Sequence, residues 1–201
     1  VTVEGCFTRS GDDAFVVKTL GGDENATSNN VTVQNCDAWV GKARAFGIFG
    51  ETYRDISNVT FRDNRVLFHD ATWDYLRIPA IGIVVEGDEE NTALAQANSN
   101  TTLTSITFEN IEICRNKSSA ISCIIYKLVE NYRINGLTFR NISAQNPADA
   151  SAKSTINRFS SSSKIERTVV FENIFFGGTK VTNQNFTNYF NPEATHFCGS
   201  F

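Results

Sequence analysis

Two adjacent carboxylates, Asp12 and Asp13, follow Gly11 and directly precede the apolar run Ala14-Phe15-Val16-Val17. Like charges that close repel, so one carboxyl is pushed to keep its proton while the other ionises. That division suits acid–base work. An inverting glycosidase needs one protonated acid at the leaving oxygen and one carboxylate that activates water, with the two groups about 6.5 to 9.5 Å apart. Side chains of neighbouring residues diverge enough at a strand bend to serve. The plainer readings of Gly-Asp-Asp are a turn or a calcium loop. Lys18, on the strand beyond the pair, is placed either to hold an Asp ionised or to form a structural ion pair.

The elements that position this pair are legible as a repeat. Val1-Thr2-Val3-Glu4-Gly5-Cys6 recurs as Val31-Thr32-Val33-Gln34-Asn35-Cys36 and Val59-Thr60-Phe61-Arg62-Asp63-Asn64. It recurs again as Ile106-Thr107-Phe108-Glu109-Asn110-Ile111, Leu137-Thr138-Phe139-Arg140-Asn141-Ile142 and Val169-Val170-Phe171-Glu172-Asn173-Ile174. The third positions lie 30, 28, 47, 31 and 32 residues apart. A short alternating strand recurring at this period predicts an all-β chain folded as a right-handed parallel β-helix, a solenoid of about six coils of roughly 30 residues. Residues 1–201 are read as one domain, itself partial. Residues 86–104 form an inserted loop, and 175–201 a C-terminal tail or cap. The column Gly5, Asn35, Asp63, Asn110, Asn141 and Asn173 carries residues that tolerate a left-handed backbone. Its amides are expected to hydrogen-bond up the stack, enclosing Asn141 too tightly for glycosylation. The next column, Cys6, Cys36, Asn64, Ile111, Ile142 and Ile174, is expected to point inward. A leucine-rich array is excluded by the period, and a β-sandwich by the repeated strand sequence.

Several runs together resemble the right-handed β-helix glycoside hydrolases, foremost the family of dextranase and isopullulanase (family 49) and next the polygalacturonases (family 28). They are Gly11-Asp12-Asp13 with its following strand, Val33-Gln34-Asn35-Cys36-Asp37-Ala38-Trp39, Arg54-Asp55-Ile56-Ser57, Phe68-His69 and Ile78-Pro79-Ala80. The resemblance implies Asp12 as general acid and Asp13 as a holder of the attacking water. It also implies a third Asp upstream, which would fall before Val1. Pectin hydrolases carry Gly-His-Gly where this chain has Arg44-Ala45-Phe46-Gly47. Their Arg-Ile-Lys is replaced by Arg77-Ile78-Pro79 or, in a second register, by Val84-Val85-Glu86. Losing fixed cationic donors disfavours a galacturonate carboxylate. The expected substrate is a neutral α-glucan such as dextran or pullulan. The alternatives are a pectin hydrolase and a non-catalytic polysaccharide-binding solenoid.

Lys18, Phe46, Tyr53, His69, Trp73 and Arg77 are the expected substrate contacts, with Trp39 and Tyr75 as further aromatics able to stack on sugar faces. Trp73 and Tyr75, in polar surroundings, are preferred. Seven Asn-x-Ser/Thr sequons point to a glycosylated, secreted, extracellular chain, with acceptors at Asn25, Asn30, Asn58, Asn100, Asn116 and Asn185. Of the five cysteines, Cys114 and Cys123 either pair or stay as buried thiols. No cofactor and no metal is expected. The acidic run Glu86 to Asn91 reads as a solvated loop, with calcium as the sharper alternative. A net charge of −4 without a basic block argues against nucleic acid and an anionic membrane surface. The absence of methionine reads as a processed form or fragment, and the activity is expected to belong to a longer, monomeric protein.

Overall fold

The computed structural model describes residues 1–19, 27–72, 78–86, 101–126, 132–145, 153–158, 164–167, 169–192 and 199–200. Each repeat unit forms one rung. The first rung contains β1 (Thr2–Glu4), β2 (Phe7–Ser10) and β3 (Phe15–Val16); the second contains β4 (Ser28–Gln34), β5 (Asp37–Val40) and β6 (Phe46–Gly50). In the third, β7 (Ile56–His69) covers two faces before β8 (Ile81–Glu86). The next rungs run through β9 (Thr102–Ile113) and β10 (Ile121–Tyr126), then β11 (Arg133–Ala144) and β12 (Ser154–Arg158). The short β13 (Lys164–Ile165) and β14 (Val169–Phe176) follow, then β15 (Thr179–Lys180), β16 (Phe190–Pro192) and β17 (Gly199–Ser200). One ladder stacks β1, β4, β7, β9, β11 and β14 in parallel, and a second stacks β3, β6, β8, β10, β12 and β16. The chain is an all-β parallel solenoid. It makes about four turns rather than six coils. All six anchor strands are present, but β1 and β3 have only 3 and 2 residues, and after β14 the chain reverses into the antiparallel β15.

The anchors make the core. Phe61, Phe108, Phe139 and Phe171 stack with centroids 5.0, 4.9 and 5.3 Å apart and nearly parallel planes. That spacing is imposed by neighbouring strands roughly 4.8 Å apart, which bring in-register rings into offset stacking. The column two residues on adopts positive φ throughout, 52 to 56° at Asn35, Asp63, Asn110, Asn141 and Asn173 and 64° at Gly5. Asn110 Nδ2 donates to Asp63 Oδ1 at 2.9 Å, Asn141 Nδ2 to Asn110 Oδ1 at 2.9 Å and Asn173 Nδ2 to Asn141 Oδ1 at 3.1 Å. Lys180 Nζ ends the chain on Asn173 Oδ1 at 3.1 Å. The expectation that this column encloses Asn141 is overturned: the ladder runs along an outer corner, and Asn141 is exposed. From Cys36 onward the following column is buried; Cys6, on the first rung, is exposed.

Boundaries also differ from expectation. Glu86 closes β8 and Thr102 to Thr104 open β9, so the insertion is shorter than 86–104; residues 87–100 lie outside the described ones, including most of the acidic run. Within the expected tail or cap, β16 pairs with β12 and β17 with β14, so its described residues extend both ladders. No described helix is long and apolar enough to cross a membrane, and no described group of His, Cys, Asp or Glu is arranged to hold a metal ion.

Candidate active site

The bend between β2 and β3 carries the acid pair. Asp12 N–H donates to Ser10 Oγ at 2.9 Å and Asp13 N–H to Asp12 Oδ1 at 2.7 Å, so the turn is shaped by its own side chains. Asp12 is exposed. Asp13 turns toward the next coil, where Arg44 N–H donates to its Oδ1 at 3.1 Å and Arg44 Nη1 lies 3.5 Å from Oδ2. Their side chains are 11% and 12% exposed respectively. Burial pushes the Asp13 carboxyl above its ordinary 3.8; Arg44 and Lys18 oppose that shift, and Asp12 adds to it.

Arg44 is itself placed by packing. Its guanidinium lies 5.3 Å from the centroid of the Phe49 ring, a cation–π contact. The Phe49 ring lies across Gly47: a Cβ there would collide with Phe49 Cζ and Gly82 O. Only glycine leaves that space. Pairing of Phe15 with Phe46 and Phe46 with Ile81 brings Ile78-Pro79-Ala80, not Val84-Val85-Glu86, alongside Arg44.

Several expected substrate contacts point elsewhere. Phe46 is buried and stacks on Phe15 at 5.0 Å, filling the core. Tyr53 is buried where its N–H donates to Thr19 O at 2.9 Å. His69 is fully buried, with Nδ1 2.8 Å from Asn116 Oδ1 and 3.0 Å from Ser118 Oγ. Burial pushes its pKa down to about 4, only partly offset by the hydrogen bond to Asn116, so it is neutral and out of a substrate's reach. Asn116, 6% exposed and with its amide donating to Ser118 O, is closed to glycosylation. Lys18 pairs with Glu51 at 2.9 Å, which lowers the Glu51 carboxyl while the ammonium also acts on Asp13. Asn30 and Asn58 are exposed; Asn185 is half-buried, and its side chain accepts from Thr182 N–H and donates to Lys180 O. Cys114 and Cys123 are both free thiols, so the suggested pair is not formed. Trp73, Tyr75, Arg77, Asn25, Asn100 and Cys198 lie outside the described residues.

The aromatic beside the acid pair is Trp39, 41% exposed. It stacks on Phe68 at 5.0 Å, and Arg115 and Lys117 lie over the same Phe68 ring at 5.5 and 5.7 Å. Trp39 lines an open groove of about 510 Å³ with Arg9, Ser10, Gly11, Lys42 and Thr72, which reaches the turn bearing Asp12. A register shift between Ala38 and Trp39 explains why alternation alone misjudges this region. Ala38 pairs with Val66 but Trp39 with Phe68, so Leu67 is an extra residue that turns Phe68 toward Trp39 and His69 inward. Comparisons with protein-family models, curated proteins and solved structures give no match to this chain.

Proposed function

We propose that this chain carries the catalytic acid pair of an extracellular glycoside hydrolase that cleaves a neutral α-glucan with inversion. The observation that carries the reading is the unequal setting of two adjacent carboxyls: Asp12 exposed on the turn whose Ser10 and Gly11 line the groove, Asp13 nearly buried against Arg44. On accessibility, and on the resemblance of Gly11-Asp12-Asp13 to the hydrolase motif, Asp12 is the donor to the departing glycosidic oxygen. Asp13, with a further carboxylate upstream, takes a proton from water as that water attacks the anomeric carbon from the opposite face. Trp39 offers a π surface for an adjacent ring. Arg44 stands where pectin hydrolases carry a histidine and is committed to Asp13, which weighs against binding a galacturonate carboxylate.

Reducing-sugar release from dextran, pullulan and polygalacturonate by the full-length protein and its Asp12→Asn variant tests this. The expected result is release from a neutral glucan that falls by a factor of about 100 or more in the variant. Equal activity of the two proteins rejects Asp12 as the acid, and release from polygalacturonate alone rejects the glucan. A second reading, a polysaccharide-binding solenoid without catalysis, draws on the engagement of both Asp13 oxygens by Arg44. It predicts retention on immobilised glucan with no release.

A further inference from the structure

We propose that Cys6 and Cys36 form a thiol pair that closes to a disulfide by exchange with a low-molecular-weight disulfide, tying the first coil to the second. The register places them opposite one another: Val3 pairs with Val33, Phe7 with Asp37, and Asp37 N–H donates to Cys6 O at 2.8 Å. In-register neighbours on strands about 4.8 Å apart fall within the Cα separation of about 4.4 to 6.8 Å that a disulfide spans. The Cys36 sulfur already leans toward the first coil. It accepts Cys6 N–H at 3.4 Å and lies 3.9 Å from Val3 O. Asn64 closes the opposite side, accepting Cys36 N–H at 2.9 Å and donating to Val33 O at 2.9 Å. Further along the column stand Asn64, Ile111, Ile142 and Ile174, so among these aligned rungs only the first two bring sulfurs together.

The two thiols have unequal access, which sets the order of steps. Cys6 is exposed, whereas Cys36 is buried. The Cys6 thiolate attacks the external disulfide, forming a mixed disulfide and releasing one small thiolate. Cys36, deprotonated by solvent base, then attacks the Cys6 sulfur and releases the second. Two protein thiols are oxidised, one external disulfide is reduced to two thiols, and no other oxidant is needed. Burial raises the Cys36 thiol, which makes this closing step the slow one. The bond would anchor the start of β2, whose far end, Ser10, holds the Asp12 N–H.

Incubation with oxidised glutathione, followed by intact mass and peptide mapping, tests the pair. The expected product has lost two hydrogens and yields one cross-linked peptide joining Cys6 to Cys36. Hydrogen exchange at the β1–β4 amides then slows several-fold, an effect reversed by dithiothreitol. Cys36→Ala is expected to trap a stable glutathione adduct on Cys6, and Cys6→Ser, at an exposed position, to form no cross-link. A glutathione adduct persisting on Cys6 with Cys36 intact overturns the proposal. So does an unreactive Cys6, or a cross-link through Cys114, Cys123 or Cys198. None of these readouts depends on hydrolytic activity.

Discussion

Arg44 holds both oxygens of Asp13, through its N–H to Oδ1 at 3.1 Å and its guanidinium 3.5 Å from Oδ2. A residue of one coil therefore sets the charge state of a carboxyl on the coil before it. Arg44→Leu keeps the backbone donor and removes the cation, so the already raised Asp13 pKa is expected to rise further. A carbon-detected NMR titration of the Asp13 carboxyl checks this, and an unmoved titration contradicts it.

The same carboxyl affects stability. Its folded pKa lies above the ordinary 3.8, so its contribution is fully present below pH 3.8 and is lost as pH rises through the folded value. Asp13→Asn removes that loss. Urea midpoints at neutral pH are expected to be unchanged or higher in the variant, with a flatter pH dependence on the alkaline side of pH 3.8; a large drop at neutral pH would count against it.

His69 acts in the opposite sense. Its folded pKa, about 4, is below the ordinary 6.5, so the unfolded chain takes up a proton first as pH falls. Stability is present above pH 6.5 and is lost down to about pH 4, by roughly 3 kcal/mol for this group. His69→Gln should remove most of the decline between those two pH values in urea titrations.

The phenylalanine stack is expected to be the most sensitive part of the core. Phe108 lies between Phe61 and Phe139, at 5.0 and 4.9 Å, and is fully buried. Phe108→Ala should destabilise by about 3 to 5 kcal/mol in denaturant unfolding, and Phe108→Leu by less.

The asparagine ladder separates backbone from side-chain effects. Asn110, at φ 53°, donates to Asp63 and accepts from Asn141. Asn110→Ala is expected to cost about 2 kcal/mol or more, combining left-handed strain with lost hydrogen bonds. Asn110→Gly keeps the backbone freedom and should cost less; equal losses in urea midpoints would assign the effect to the hydrogen bonds alone.

Secretion from a glycosylating host is expected to modify exposed Asn30 or Asn58 and leave buried Asn116 bare. Glycopeptide mapping decides, and sugar on Asn116 would contradict its burial.

The repeat itself determined the solenoid. One residue in each unit must adopt positive φ, and only glycine, asparagine and aspartate do so at little cost; the column was therefore visible in the residue types alone. The recurring anchors likewise announced the stacked core. The proximity of Asp12 and Asp13 was given by adjacency in the chain. Which side chains face the groove was decided by tertiary structure. One extra residue at Leu67 reverses strand alternation, sending His69 into the core and setting Phe68 against Trp39. Phe46 and Tyr53 look like groove residues by composition, but an aromatic near a polar run says nothing about which face it occupies. The hold of Arg44 on Asp13 depends on a spacing of 31 residues, the Phe49 ring and the space left by Gly47, and it exists only once the coils are stacked.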